Sequence, residues 1–214
     1  MKKSKNLSPE DIEKNLVRFY ELIDKYINPE RAKQLKDFYN TIELTLATSP
    51  ASSNINHHNC FAGGYLDHVI RVTEAALVVS RVWDKFGQEK DYTDEELVFS
   101  AINHDLGKLG TNEEQFYIPN DSQWHIEKQG SLYKINTKIV HMRIAERSLF
   151  YLQQAGIKYN ENEFFAIKLH DGLYEESNKD YYMPRGHDFQ LKTNLPYVLH
   201  QADLMASRVE NQNA

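Results

Sequence analysis

Apolar residues recur at three- and four-residue intervals along most of this 214-residue chain. That interval is the repeat of an amphipathic helix, and it constrains the fold more than any other feature. Ser8-Pro9 marks the first helix start, with a capping side chain before a proline at the first helical position. Thr93 and Asn160 each stand three residues before a glutamate, which predicts two further capped starts. The pattern therefore predicts an all-α fold.

One segment departs from the helical pattern. Residues 123–128 and 132–135 flank Gly130-Ser131 and are typical of two strands joined by a tight turn. We therefore expect a small β-hairpin insertion around 122–136. The apolar spacing after it predicts a helix over about 138–155.

Length and composition indicate an ordinary globular protein. A chain of 214 residues can fill one core, and 41% apolar and 26% charged residues are typical values for such a domain. We expect N-terminal helices at 1–47 to pack on a core domain at 48–210, the two forming one compact unit.

Cysteine content and net charge indicate where in the cell the protein is expected and which binding partners are expected. The single cysteine, Cys60, excludes an internal disulfide framework and is typical of a reducing cytosol. No stretch approaches the roughly 18 consecutive apolar residues of a membrane span, so we expect a cytoplasmic protein with no membrane partner. A net charge of −6 without a run of Lys or Arg argues against a protein whose main role is to bind duplex nucleic acid. Small anionic substrates stay open, because a metal site supplies its own positive charge.

The dipeptide His104-Asp105 is the strongest sign of chemistry in the chain. An imidazole and a neighbouring carboxylate can bind one divalent metal, and a carboxylate can bridge to a second. His68 precedes the pair and Asp203 follows it, each inside a helical apolar pattern. Imidazoles and hard oxygens suit Mn, Fe, Mg, Co or Zn, whereas metals that seek several thiolates are disfavoured. The residues therefore predict a site for one or two divalent ions.

Three strings carry a resemblance to a known family: Gly63–His68, His104–Lys108 and Gln201–Leu204. Together they resemble the HD superfamily of metal-dependent phosphohydrolases, and the similarity spans about residues 50–210. The lead-in with His57-His58-Asn59 is also similar to the HD domain in a bacterial family of 3′→5′ exoribonucleases. The resemblance implies an all-α, HD-domain helical bundle.

The resemblance also implies particular metal ligands. The motif residues of the family hold an ion, and they correspond here to His68, His104, Asp105 and Asp203. Two-metal branches add histidines at positions that His141 and His170 resemble, so a second ion would be bound by Asp105, His141 and His170. A related branch has two adjacent histidines where this chain has His170-Asp171, which argues against carrying over that branch's cyclic-dinucleotide activity.

This resemblance implies hydrolysis of a phosphate ester by a metal-bound hydroxide. The expected partner is a small phosphorylated substrate such as a nucleotide, or the end of a single-stranded RNA or DNA. The candidates for catalysis are Asp105, Lys108 and His58. The candidates for binding the substrate, whose phosphate needs positive charge or donors, are Lys108, Arg71, Arg143 and His57.

Two other functions stay open at this point. The same His/Asp set also resembles that of HD-type di-iron oxygenases, which cleave C–C or C–P bonds with O₂. A catalytically inactive module that keeps a metal for structure is the second alternative. Individual residues have simpler explanations too, because a lone histidine on an amphipathic helix is commonly structural and Lys108 could pair with a helix dipole.

Overall fold

The structure is a computed structural model that describes residues 6–111, 113–184 and 190–213. Most of these residues are helical, as the apolar spacing predicts. The α-helices are α1 (Pro9–Tyr26), α2 (Pro29–Thr41), α3 (Glu43–Thr48), α4 (Gly64–Lys85), α5 (Asp94–Asn103), α6 (Ile144–Gln154), α7 (Glu161–Leu169), α8 (Lys179–Tyr182) and α9 (Leu195–Asn213). Short 3₁₀ turns follow α5 at Leu106–Lys108 and α7 at Gly172–Tyr174.

Side-chain caps begin the helices where the sequence predicts them. The Ser8 hydroxyl accepts a hydrogen bond from the Asp11 amide at the start of α1. At the start of α5, Thr93 and Glu96 each accept a hydrogen bond from the other's backbone amide. Asn160 and Glu163 repeat the arrangement at α7. These caps satisfy amides that have no partner inside the helix.

A two-stranded antiparallel hairpin is present, but its first strand lies earlier in the chain than the predicted one. Strand β1 (Tyr117–Pro119) pairs with β2 (Tyr133–Ile135). The predicted first strand instead contains a helical turn, His125–Gln129. The Ser122 carbonyl accepts a bond from the Ile126 amide, and Gly130 closes the turn with a φ of 72°.

Helix α6 starts later than the sequence predicts. Residues 138–143 form irregular structure, and Arg143 has an extended backbone with ψ of 150°. The Asn136 side chain accepts a bond from the Lys138 amide and so holds a turn where a helix was expected. The β-branched pair Ile139-Val140 also lowers the helix propensity of this stretch. His141 therefore does not lie on the buried face of α6.

Helix α4 lies at the centre and packs against α9, α5 and α1. The apolar side chains of the N-terminal helices belong to the same core as those of the later helices, and Phe19 and Leu35 are fully buried in it. A division of the chain after residue 47 stays a prediction. Within the described residues, no helix has both the length and the apolar character needed to cross a bilayer.

One buried hydrogen bond ties the N-terminal helices to the end of α5. The Tyr39 hydroxyl donates to Asn103 Oδ1 over 2.8 Å, and both residues are fully buried. The Asn103 amide group donates to the Phe99 carbonyl. Because Asn103 immediately precedes His104, this bond helps to fix the position at which α5 ends.

We predict that Tyr39→Phe lowers the free energy of unfolding by about 1–2 kcal/mol, because Asn103 Oδ1 loses its buried donor. Tyr20→Phe is the matched control, since Tyr20 also donates to an asparagine Oδ1, that of Asn40, but at an exposed position. Its effect should stay within about 0.5 kcal/mol. Urea denaturation measures both, and equal losses would contradict the account of this bond.

Candidate metal centre

Four helix-borne segments bring the predicted ligands to one place. His68 lies in the second turn of α4, and Asp203 lies on α9, which packs along α4. His104-Asp105 follows the last residue of α5, and His170 follows the last residue of α7. Since α5 packs on both α4 and α7, the ends of these helices meet, and the five side chains converge.

The distances between the converging atoms suit a shared cation. His68 Nε2 lies 3.2 Å from Asp203 Oδ1. His104 Nε2 lies 3.4 Å from Asp105 Oδ2, and His170 Nε2 lies 3.5 Å from Asp105 Oδ1. Two ligands bound to one ion at about 2.0–2.2 Å lie roughly 2.8–3.6 Å apart at ordinary coordination angles.

The hydrogen bonds of His104 test whether it suits a metal. Its Nδ1 lies 2.7 Å from the Ala101 carbonyl, which can only accept, so Nδ1 carries a proton. That leaves the Nε2 lone pair for another partner. The Nε2 atoms of His104 and His68 are both buried, and neither has a hydrogen-bond partner within residues 6–111, 113–184 and 190–213. A buried polar atom without a partner is costly, and a cation bound at Nε2 would remove that cost.

The potential ligands form one continuous cluster rather than separate sites. Four overlapping sets have ligand atoms within 4.8 Å of one another, and three of them contain the predicted ligands: His68, His104 and Asp203; His104, Asp105 and His170; and His170, Asp171 and Asp203. Because neighbouring sets share a residue, the cluster could hold a metal ion at more than one place. We refer to these six residues as the His/Asp cluster.

Glu210 is a member of the site that sequence reasoning missed. Its carboxylate accepts a hydrogen bond from His68 Nδ1 over 3.0 Å, and its side chain is almost completely buried. A carboxylate in this position fixes the orientation of an imidazole ligand and makes it a better donor to a metal. The available signal was spacing, since Glu210 lies seven residues after Asp203 and therefore on the same face of α9.

His170 is held by two backbone contacts. Its Nδ1 donates to the Ile167 carbonyl over 2.8 Å, which directs Nε2 into the cluster. Its own carbonyl accepts a bond from His200 Nδ1. The close approach of the His200 ring requires Gly172, because a Cβ on that residue would lie 2.4 Å from the ring.

Helix α6 holds the turn that carries His104 and Asp105. The Ser148 hydroxyl accepts a bond from the Gly107 amide and donates to the His104 carbonyl. Gly107 permits this approach, since a Cβ there would lie 2.3 Å from the Ile144 carbonyl oxygen. The sequence His-Asp-Leu-Gly-Lys therefore includes a glycine that the packing of α6 requires.

The electrostatics of the cluster favour a positive charge. Burial opposes protonation of His68, but Glu210 and Asp203 outweigh it and raise its pKa to about 10. Burial likewise opposes protonation of His170, and Asp171 with Asp105 raises its pKa to about 10. Burial alone would raise the pKa of Asp203, yet His68 and His104 hold it below its ordinary value. A proton or a metal ion satisfies the same carboxylates.

The cluster opens into a cavity of about 540 Å³. Lys108 lines this cavity with its Nζ 2.6 Å from Asp105 Oδ2. His57 and His58, both predicted from the sequence, line it as well. His58 Nε2 is buried without a hydrogen-bond partner, and burial together with His68 and Lys108 lowers the pKa of His58 to about 2. His58 is therefore neutral near pH 7.

The far end of this cavity was not predicted. It is lined by side chains of α9 and of the turn after α7, among them Tyr174, Ser207 and Arg208. The Arg208 guanidinium lies 3.5 Å from the Tyr174 hydroxyl. These residues lie outside the motif strings, and only the helical spacing from Asp203 could have indicated Ser207.

Three predicted residues are not brought to this cavity. His141 is exposed and lines a separate cavity beside β2 and α6, together with Arg143. Arg143 forms an ion pair with Glu175, and Arg71 forms one with Asp67. The late start of α6 explains the position of His141, because the residue precedes the helix that was predicted to contain it.

Comparisons of the chain with protein-family models, with curated proteins and with solved structures each found no match.

We predict that Glu210→Gln weakens Mn²⁺ binding by about 10-fold or more, because the charged acceptor of the His68 Nδ1 proton is lost. Glu74→Gln is the matched control, since Glu74 lies on the exposed surface of α4 and pairs with Arg18. Isothermal titration calorimetry measures both affinities. Unchanged binding by the Glu210 variant would show that this carboxylate does not support a metal ligand.

We predict that metal binding releases protons at pH 7 and becomes tighter as the pH rises toward 9. In the metal-free protein His68 and His170 bind protons with a raised pKa, and a metal must displace the proton on Nε2. Fewer protons compete at higher pH, so the affinity increases. Calorimetry in buffers of different ionisation enthalpy counts the protons. Binding without proton release would contradict ligation by these histidines.

Proposed function

We propose that this chain is a metal-dependent phosphohydrolase of the HD superfamily that acts on a phosphate ester of a nucleotide or of an oligonucleotide end. One observation carries the proposal. The buried His/Asp cluster contains all four positions of the family's motif, and two of its imidazole nitrogens have no hydrogen-bond partner among the residues that the structure describes. The cluster also opens into a cavity that contains a lysine.

The residues proposed to hold the ion are His68, His104, Asp105 and Asp203, with His170 placed to bind a second ion through Asp105. A divalent ion supplies Lewis-acid chemistry at a phosphoryl oxygen and lowers the pKa of water toward about 7. His141, the other expected ligand of a second ion, lies in a different cavity. Asp171 is the alternative ligand on the His170 side, with Oδ2 3.6 Å from His170 Nε2.

Lys108 is the residue proposed to bind the reacting phosphate. Asp105 accepts one of its three N–H donors, and the ammonium group faces the cavity, so other donors can reach a phosphate oxygen. Burial opposes the charge on Lys108, but Asp105 outweighs it and keeps the pKa above its ordinary value. The lysine therefore stays charged near neutral pH.

His58 is proposed to accept a hydrogen bond in the reaction. Its lowered pKa of about 2 leaves one ring nitrogen with a lone pair near pH 7, and its ring centroid lies 4.5 Å from that of His68. A nearby cation would lower this pKa further. The histidine is thus suited to orient a water molecule beside the cluster, and it is not suited to donate a proton as an imidazolium.

The size of the cavity supports a substrate about as large as a nucleotide. Sites for small molecules commonly measure about 300–1,000 Å³, and this cavity measures about 540 Å³. Tyr174 is largely exposed at its far end, where an aromatic ring could stack on a base. Arg208 supplies a cation at the same end. The net charge of −6 argues against a duplex as substrate.

We expect the Mn²⁺-loaded protein to release phosphate or a nucleoside from at least one member of a panel of nucleotides, cyclic nucleotides and short RNA and DNA oligomers. The double variant His104→Ala/Asp105→Ala should lose this activity, which excludes a contaminating phosphatase. No turnover from folded protein that retains its metal would contradict the proposal. A product that requires iron and O₂ would instead support the oxygenase alternative.

A comparison of two variants tests the assignment of the phosphate-binding cation. Lys108→Gln should lower kcat/KM by about 10²-fold, because a donor aimed at the reacting group is lost. Arg71→Gln should leave kcat/KM nearly unchanged, since Arg71 pairs with Asp67 away from the cavity. Steady-state kinetics measures both. Equal losses in the two variants would contradict the role given to Lys108.

A further inference from the structure

Arg147 on α6 carries a buried charge that no carboxylate balances. Its exposed fraction is 3%, and in the ranges that the structure describes it forms no ion pair. Its Nη2 donates to the Val140 carbonyl over 2.7 Å. Its Nη1 is buried and has no hydrogen-bond partner among the described residues. Burial lowers the pKa of this guanidinium, which reflects the cost of the unbalanced charge.

Two other cations inside the fold, Arg31 and Lys108, are each paired with a carboxylate. Arg31 donates to both carboxylate oxygens of Glu163, over 2.7 and 2.8 Å. Lys108 pairs with Asp105 over 2.6 Å. Buried charges in proteins are generally paired or bound to a ligand. Among the interior cations of the described part of the chain, Arg147 is therefore the one that lacks an anion.

Arg147 lines the second cavity, which measures about 610 Å³. The walls around it are largely apolar and include Phe116, Ile139 and Met142. The Phe116 ring lies under the guanidinium, with its centroid 4.9 Å from Arg147 Cζ. This cavity shares no lining residue with the one beside the His/Asp cluster, so a ligand there would not compete directly with a substrate.

The other charged groups at this cavity are already neutralised. Lys138 pairs with Glu114 over 3.0 Å, and Arg143 pairs with Glu175 over 3.5 Å. His141 contributes a further donor or acceptor at the rim. The unbalanced charge is consequently that of Arg147, and it lies among apolar side chains rather than in water.

We propose that this cavity binds a small molecule with an oxyanion group, a carboxylate or a phosphate, attached to an apolar body. The oxyanion pairs with the guanidinium of Arg147, and the apolar body packs on Phe116, Ile139 and Met142. Because Nη1 is covered, binding includes a local shift of the segment 137–143, which contains no helix or strand. The inference does not depend on the proposed hydrolase activity.

Methyl NMR with benzoate, phenyl phosphate and inorganic phosphate tests the proposal on the Mg²⁺-loaded protein. The methyl groups of Met142 and Ile139 report on this cavity, and those of Leu204 report on the cavity of the His/Asp cluster. We expect saturable shifts at Met142 and Ile139 with benzoate or with phenyl phosphate. The better of these two ligands identifies the oxyanion as carboxylate or phosphate. Inorganic phosphate should bind more weakly than phenyl phosphate, because it has no apolar body.

Variants then identify the residue that recognises the oxyanion. Arg147→Gln should weaken binding by about tenfold or more, as expected for loss of a charge-assisted pair. Arg143→Gln is the control and should bind as the wild type does, because Glu175 already neutralises Arg143. If the Arg147 variant does not fold, Ile139→Trp provides the test, since it fills the cavity and should abolish the shifts of the remaining reporter, Met142.

Three results would overturn the proposal. Shifts confined to Leu204 would place the ligands at the metal centre instead. An absence of shifts at Met142 and Ile139 at millimolar concentrations of all three ligands would show that the cavity does not bind oxyanions. If a folded Arg147→Gln variant bound as tightly as the wild type, the guanidinium would not recognise the oxyanion. If a folded Ile139→Trp variant did so, the ligand would not bind in this cavity.

Discussion

The buried carboxylate of Asp105 is the group on which the rest of the site depends. Burial alone would raise its pKa, but Lys108 and His104 hold it well below the ordinary value, so it is charged at neutral pH. Its oxygens lie within 3.6 Å of the Nε2 atoms of His68, His104 and His170. Helix α4, the end of α5 and the end of α7 each supply an imidazole beside this charge, and a bound cation would complete the set.

The fold serves this site through the ends of its helices. His104 and His170 each follow a helix and donate from Nδ1 to a carbonyl of the preceding turn, which turns both Nε2 atoms toward Asp105. The C-terminal ends of α5 and α7 thereby add the negative ends of two helix dipoles, which favour a cation nearby. Glycine at 107 and at 172 lets α6 and His200 approach these turns closely.

Much of this arrangement could be predicted, because periodic apolar spacing and capping residues are local signals. We expected His68, His104 and Asp203 to converge because their motifs resemble those of a known family. The packing of α4, α5 and α9 against one another brings the three residues together. The position of His141 could not be predicted, since a side-chain bond from Asn136 decides where α6 begins. The partner of Arg143, Glu175, lies 32 residues away, so its neutralisation depends on tertiary contacts that sequence spacing does not reveal.

A crystal structure of the protein grown with Mn²⁺, with anomalous differences recorded at the manganese edge, tests the central claim most directly. The account predicts an anomalous peak about 2.0–2.2 Å from His68 Nε2, His104 Nε2 and the carboxylates of Asp105 and Asp203. Glu210 should remain bonded to His68 Nδ1 in that structure. A fully loaded protein with its only peak on surface carboxylates, or with no peak among these side chains, would contradict the assignment of this cluster as a metal centre.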